Sequence, residues 1–282
     1  MSPLRDKSLR NEDWYICMNQ ADINKKLNKN DIIESVIYFD ETDSTNNQAK
    51  AAAKSGTPGN VLYVAGCQTA GKGSRGRNWV SNADDGIWMS LLIRPQLEAD
   101  KASMLTLVTA LAVSAAIKNC TGIDSFIKWP NDIVISGKKV CGILTEMQAN
   151  DRNILFVVIG IGINVNTTHF DDEISDKATS LFCETGQKFD KAEIIAEIIH
   201  EFTRYFKIFM ETKNLNKFID EYNSKLINAG KEVKVYGTSE NVMQATALGI
   251  DEEGRLLVKD TNGKTVSVVA GEVSVRGLYS YV

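Results

Sequence analysis

The residues best suited to chemistry lie in GCQTAGKGSRGRNW, positions 66–79. Glycine lets backbone amides approach a ligand closely, and the planar fork of arginine grips carboxylate or phosphate in bidentate fashion. From Ser44 to Ala83 the chain has no Asp or Glu, yet it carries Lys50, Lys54, Lys72, Arg75 and Arg77. In a chain that is acidic overall, such a window points to an anionic ligand; a solvated basic loop without one is the competing reading. Two familiar phosphate loops fit imperfectly. Gly71, Gly73 and Gly76 satisfy G-x-G-x-x-G after a strand, but NWVSNADDG follows where a helix must open. Gly66 to Gly73 nearly makes a P-loop, but Gly73 stands where Ser or Thr must hold Mg²⁺. In FIKWPND (126–132), Lys128 alternates with Ile127 and Trp129, and a lysine in an apolar strand is costly to desolvate unless it meets an anion. In GIGINVN (160–166) a strand opens into glycine and Asn164, whose amide can read a polar edge.

These residues need elements to hold them. SVIYF (35–39) reads as a strand, and Ser44 or Asp43 caps a helix over TNNQAKAAAK. NVLYVA (60–65) and GIWMSLLIR (86–94) read as strands flanking the glycine-rich loop. Met104, Leu107, Val108, Leu111 and Ala115 recur at helical spacing and predict a core-facing helix over 100–119. Strands at 126–129, 132–135, 140–147 and 154–165 follow, with turns at SGKK (136–139) and NDRN (150–153). A long helix at roughly 190–212 carries a core stripe of Ile194, Ile195, Ile198, Phe202, Tyr205, Phe206 and Phe209. Consecutive short strands of this kind predict an α+β fold: a mixed, largely antiparallel sheet with helices on one face. After Gly230 the texture changes to five short alternating strands, with an Asn262-Gly263 hairpin signal, and reads as a small barrel. The expected division is an N-terminal extension (1–34, with a short helix at most), a main domain (35–229) and a barrel (230–282).

Composition narrows the function. Among 282 residues, 32 Lys plus Arg against 36 Asp plus Glu give a net charge of −4, unlike a protein that coats nucleic acid. Five scattered cysteines without a C-x-x-C pair and only two histidines argue against zinc and against histidine-assisted nucleophiles. The N-terminus lacks the apolar core of a signal peptide, and no apolar run reaches the ~18 residues of a membrane span. The expectation is a cytoplasmic protein.

Taken together, DSTNNQA (43–49), QTAGKGSRGRNW (68–79), KWPND (128–132), KVCGILTE (139–146) and GIGINVN (160–166) resemble the biotin–protein ligases, in that family's order and approximate spacing. The likeness runs over about residues 36–280. It implies a fold of the class II aminoacyl-tRNA synthetase-like, biotin/lipoate ligase type, followed by an SH3-like barrel. It also implies a two-step reaction using ATP and Mg²⁺, with biotin as substrate. Biotin is activated as biotinyl-5′-AMP and passed to a lysine of a biotin carboxyl carrier protein or of a carboxylase's biotinyl domain. Two anions must then be brought together, which calls for cations and amide donors more than for a nucleophile.

By the same resemblance, Ser44, Thr45, Asn46 and Gln68 bind biotin's ureido end, and Gly71, Lys72, Gly73, Ser74, Gly142 and Gly162 complete the biotin site. Lys128 stands between biotin carboxylate and α-phosphate, with Arg75 as the second catalytic cation. Arg75, Arg77, Trp79, Asn131, Lys128 and Asn164 serve the nucleotide, and no metal ligands are assignable. Two positions depart from the family pattern: Ser74 where many members have arginine, and Lys72 in place of the usual arginine. The N-terminal residues are too few and too evenly charged for the winged helix-turn-helix of the repressor forms. The expectation is therefore no nucleic-acid partner and no membrane partner, with a homodimer left open. The alternatives are a lipoate–protein ligase or octanoyltransferase, and a non-catalytic biotin or nucleotide sensor.

Overall fold

The computed structural model describes residues 18–83, 85–236, 242–270 and the backbone of 274–277. Expectations for residues 1–17 lie outside the described residues. Residues 18–34 hold one short helix, α1 (Gln20–Lys26), closed by a capping box in which Asn19 Oδ1 accepts from the backbone of Ala21 and Asp22. Strand β1 (Ser35–Thr42) leads through helix α2 (Thr45–Lys54) into β2 (Val61–Gln68), which pairs with β1 in parallel. Strand β3 (Gly86–Ile93) is followed by helix α3 (Met104–Thr121) and by β4 (Phe126–Lys128), β5 (Asp132–Ile135), β6 (Lys138–Asn150) and β7 (Asn153–Asn164). All pairs but β1–β2 are antiparallel, and the order is β1-β2-β3-β7-β6-β5-β4. The SGKK turn tightens on Ser136 and Gly137, both at positive φ (52° and 77°), as a two-residue hairpin demands.

The sheet is covered on both faces, not one. Strand residues alternate between faces: Leu62, Val64, Leu91 and Ile93 join the large core under α3 and α5 (Lys191–Thr212). Their neighbours Val61, Tyr63 and Leu92 form a smaller core with Ala49 of α2 on the opposite face. Helix α3 also departs from a one-sided amphipathic pattern. It lies between the sheet and α5, so Leu105, Leu107, Val108, Ala110, Leu111, Ala112, Val113, Ala116 and Ile117 are all buried. Burial at about 1.5–3 kcal/mol per large aliphatic side chain holds it, because Ser103 makes no capping hydrogen bond. The segment Ala99–Thr121 does have the length and apolar composition of a membrane span, contrary to the sequence reading, but 67% of its most apolar window is buried inside the protein.

Helices α4 (Leu181–Thr185) and α6 (Ile219–Lys225) complete the main layer. Strands β8 (Glu232–Tyr236), β9 (Val242–Ile250), β10 (Leu256–Asp260), β11 (Thr265–Val268) and β12 (Ser274–Gly277) then form an antiparallel sheet in the order β11-β10-β9-β8-β12. It is a meander whose last strand returns beside its first, as a small SH3-like unit requires. Its 251–254 turn is inserted beside the site-bearing layer. Gly254 O accepts from Trp129 Nε1 at 3.0 Å, Glu252 O accepts from Leu215 N at 2.8 Å, and Asn223 Oδ1 accepts from Ile250 N at 2.8 Å.

Gly254 sits at φ 75°, and a Cβ there would lie 2.9 Å from Leu107 Cδ2 and 3.0 Å from Leu215 Cδ1. Gly56, at φ 88°, has nothing within 4 Å. Gly254→Ala is expected to lower the melting temperature by several degrees, through about 1–2 kcal/mol of left-handed backbone strain plus crowding against two buried leucines. Gly56→Ala carries only the backbone part. Thermal unfolding of the two variants side by side checks the difference; equal shifts would mean that the turn is not packed against α3.

Candidate active site

On the α2 face of the sheet the register lines up two rows without bulk. Gly142 of β6 pairs directly with Gly162 of β7, and Gly160 of β7 pairs with Ser90 of β3. Directly opposed residues point to the same face, so these glycines open a floor. The result is a cleft, open to solvent, between the N-terminus of α2, the end of β2, the 72–79 loop and strands β6 and β7. None of the three glycines tolerates a side chain. A Cβ on Gly160 would overlap Asn46 Oδ1, one on Gly162 would lie 2.6 Å from Trp79 Nε1, and one on Gly142 would lie 2.8 Å from Trp79 Cζ3.

One end of the cleft is a buried polar network. Ser44, Thr45 and Asn46 are 1%, 2% and 4% exposed, far below what their polarity would suggest. Ser44 is the N-cap residue of α2 by backbone conformation, but its hydroxyl makes no capping bond. Instead the N–H of Thr45 donates to Gln68 Oε1 at 2.8 Å, so β2 satisfies the helix end and leaves Ser44 facing the cleft. Gln68 Nε2 donates to Ser81 Oγ at 2.8 Å. Ser90 Oγ donates to Asn46 Oδ1 at 2.6 Å and lies 2.7 Å from Thr45 Oγ1. Asn46 Nδ2 donates to Glu146 Oε2 at 2.8 Å, and Lys50 Nζ lies 2.6 Å from Glu146 Oε1. Burial pushes the Glu146 carboxyl up, but its hydrogen bonds from Lys50 and Asn46 outweigh this and hold it below its ordinary value.

The glycine-rich loop folds back on itself. Gly73 N donates to Arg77 O at 2.7 Å, and Trp79 N donates to Gly71 O at 2.9 Å. Arg75 (φ 59°) and Gly76 (φ 71°) turn the tip. The cations of the acid-free window are unequally committed. Lys50 belongs to Glu146, and Lys72 Nζ donates to Asn47 Oδ1 at 2.5 Å. Arg77 is folded onto Ser74, with Nε donating to the carbonyl at 3.2 Å and Nη2 to Oγ at 3.0 Å. Ser74, singled out for lacking a guanidinium, thus holds one from three residues along. Arg75 is exposed and has no ion pair or hydrogen bond among the described residues. Trp79 lies over Gly142 and Gly162, edge-on to Trp88 (centroids 6.5 Å apart), with Lys139 Nζ 5.0 Å from its ring centroid. Its Nε1 is buried with no hydrogen-bond partner, so the indole occupies the cleft without being polar-satisfied there.

The cleft lining includes Ser44, Thr45, Asn46, Gln68, Lys72, Gly73, Ser74, Trp79, Asn131, Gly142 and Gly162 from the residues singled out in the sequence. Asn131 is tied in by Nδ2 donating to Ile143 O at 2.8 Å. Gly71, Arg75, Arg77, Lys128 and Asn164 stand off the lining. Asn164 Nδ2 donates to Thr179 O at 3.0 Å, and Gly71 is packed beneath the Trp79 carbonyl. Lys128 is buried at 7% exposure at the end of the cross-sheet row Lys128–Asp132–Gly142–Gly162. It shares the floor's face, about 14 Å from Gly162 at ~4.8 Å per strand. The sequence reading missed Ser81, Ser90, Lys139, Glu146 and Gly160. Lys139 and Glu146 stand in the KVCGILTE run and Gly160 in GIGINVN without a role assigned to them, and Ser90 is the one polar residue in GIWMSLLI. Among the described residues no group of three His, Cys, Asp or Glu could hold a metal, and two carboxylates beside the cleft are engaged by lysine: Glu146 by Lys50, and Asp132 by Lys139 at 2.5 Å.

Residues 38–164 match the model of the biotin/lipoate A/B protein ligase family, and residues 229–276 match that of the biotin protein ligase C terminal domain. The chain is 39% identical over 248 residues to the bifunctional ligase/repressor BirA of Bacillus subtilis, covering 87% of this chain and 76% of that protein. It is 32% identical over 242 residues to the biotin--[acetyl-CoA-carboxylase] ligase of Paracoccus denitrificans, covering 84% of this chain and 98% of that one. A solved biotin protein ligase from Aquifex aeolicus, in complex with biotin and ATP, superposes with a TM-score of 0.76 at 31% identity, covering 87% of this chain and all of the other. With the two domain models falling on the two sheets in order, the chain belongs to the biotin protein ligases of the biotin/lipoate A/B protein ligase family.

Proposed function

We propose that this chain is an ATP-dependent ligase that activates biotin as biotinyl-5′-AMP and transfers it to one lysine of a biotin carboxyl carrier protein or biotinyl domain. Residues 35–229 form the catalytic unit and 230–282 the second unit. The observation that carries the reading is the polar end of the cleft. Buried Ser44, Thr45 and Asn46 with half-buried Gln68 above a glycine floor suit a small flat group that both donates and accepts, as a cyclic urea does. The dithiolane of lipoate would face amides and hydroxyls it cannot pair with, at the cost of leaving polar groups unsatisfied.

In the first step a carboxylate oxygen of biotin attacks the α-phosphorus of ATP, the bond to the bridging oxygen breaks, and pyrophosphate leaves. With the ureido group at Asn46 and Gln68, the valeryl chain runs along the glycine row toward Lys128, which offsets the repulsion between carboxylate and phosphate. Arg75 approaches the phosphates from the loop tip, and Arg77 follows when it releases Ser74. Asn131, Trp79 and Asn164 serve the nucleotide. In the second step the neutral ε-amine of the acceptor lysine attacks the acyl carbon, AMP leaves, and the amine proton goes to solvent. Among the described residues the cleft offers no ligand set for a metal held by the protein, so Mg²⁺ would arrive on the nucleotide phosphates. Free Cys67, Cys120, Cys141 and Cys183 and the use of ATP suit the cytoplasm. The reading includes no nucleic-acid partner and allows a homodimer.

Purified protein given ATP should release pyrophosphate when biotin is added and not when lipoate is added; release with lipoate alone would replace the substrate. Lys128→Ala is expected to slow this release about 10²–10³-fold with the fold retained by circular dichroism, since one fixed cation is lost where charge is compressed. A near-normal rate would remove Lys128 from the chemistry. Because Trp79 fills the cleft, biotin and ATP together should shift the tryptophan emission, and Trp79→Phe should abolish most of that shift. An undiminished shift in the variant would place the indole's environment outside the ligand site.

A further inference from the structure

We propose that Lys50 and Glu146 act as a polarity relay that fixes which way round the Asn46 amide faces the ligand. The proposal rests on the biotin reading of the cleft. An asparagine amide is nearly symmetric in shape and opposite in hydrogen-bonding sense at its two ends, so its orientation must be imposed by its partners. Here the imposition begins at a charge. Lys50 Nζ can only donate, and it holds Glu146 Oε1 at 2.6 Å. The ionised Glu146 can only accept, and its Oε2 takes Asn46 Nδ2 at 2.8 Å. Asn46 Oδ1 is thereby turned to Ser90 Oγ at 2.6 Å, directly above Gly160, where no Cβ fits. Asn46 and Lys50 lie four residues apart on α2, on one face, so a single strand residue receives both. The carboxylate's remaining charged neighbour is Lys72 from the loop, which also favours ionisation. None of Lys50, Glu146 or Ser90 reacts; Lys50 and Glu146 are positioning residues for the ureido end.

The relay makes an unusual prediction. In Glu146→Gln, Lys50 still demands an acceptor, so it takes the new Oε1 and leaves the Nε2 amide facing Asn46. Asn46 must then invert, presenting the wrong sense to biotin. Removing the lysine as well frees the glutamine to turn its oxygen to Asn46 and restore the native sense. Steady-state kinetics with biotin, ATP and a carrier domain should show KM for biotin raised about tenfold to hundredfold in Glu146→Gln, with kcat and KM for ATP within about twofold. Lys50→Met/Glu146→Gln should recover most of that loss. The preference for biotin over 2-iminobiotin, whose urea oxygen is replaced by nitrogen, should fall in the single variant and return in the double. A double variant as impaired as the single, or equal losses in biotin and ATP, would overturn the relay and leave these residues merely structural. If Glu146→Gln does not fold, Asn46→Asp serves instead. Two facing carboxylates share a proton, so its biotin binding should strengthen as pH falls while the wild type stays flat; no such dependence would overturn the relay. A wild type that does not bind biotin would instead remove the reading on which the relay rests.

Discussion

A ligand can lie close against a sheet only where the residues beneath it are small, and this protein meets that constraint with three glycines in neighbouring strands. Gly142 and Gly162 face each other across β6 and β7, and Gly160 lies two residues along, beside Ser90. Every other feature of the cleft depends on this clearing. Asn46 can sit over the sheet because Gly160 has no Cβ, and Trp79 can lie flat because Gly142 and Gly162 have none. The same sheet is fully packed on its other face, where α3 and α5 bury its large residues. The site therefore rests on a floor made rigid from behind, which is what positioning two anions requires.

Two kinds of support surround that floor. At one end the polar groups are neutral and, the cleft-facing Ser44 hydroxyl apart, tied to one another, and the sense of Asn46 is set by a single lysine–carboxylate pair. At the other end the charges are loosely committed: Arg77 is folded onto Ser74, and Arg75 is exposed at a left-handed tip. The contrast suits a reaction in which a small neutral head is recognised first and a highly charged partner is enclosed afterwards. The indole N–H of Trp79, buried without a hydrogen-bond partner, marks the same division, since it leaves a donor in the cleft uncommitted to the protein.

Much of this was legible in the chain because it is encoded locally. The glycine-rich loop, the KWPND corner and the GIG strand are short local runs that stand out as candidates and gain roles only through the family resemblance, and the Asn262-Gly263 hairpin and the α5 stripe follow simple periodicities. What escaped the sequence was encoded by long-range pairing. Glu146 meets Asn46 across 100 positions, and a glutamate near the end of KVCGILTE looks like any solvated strand residue. The second helical face of the sheet was missed for a related reason. Alanine-rich α2 buries only small residues, so nothing in it announces which side it covers. The all-round burial of α3 was missed because its leucines satisfy a one-sided pattern while its alanines and Val113 fill the other side.

The step on which the whole site turns is the joining of biotin and AMP as a mixed anhydride. The most direct measurement is the mass of the small molecule held by the purified chain after incubation with biotin, ATP and Mg²⁺ and no acceptor. Biotinyl-5′-AMP should be retained on the protein and should leave as AMP, with biotin passed to the acceptor, when a biotin carboxyl carrier domain is added. Biotin and ATP recovered unchanged under the same conditions would contradict it.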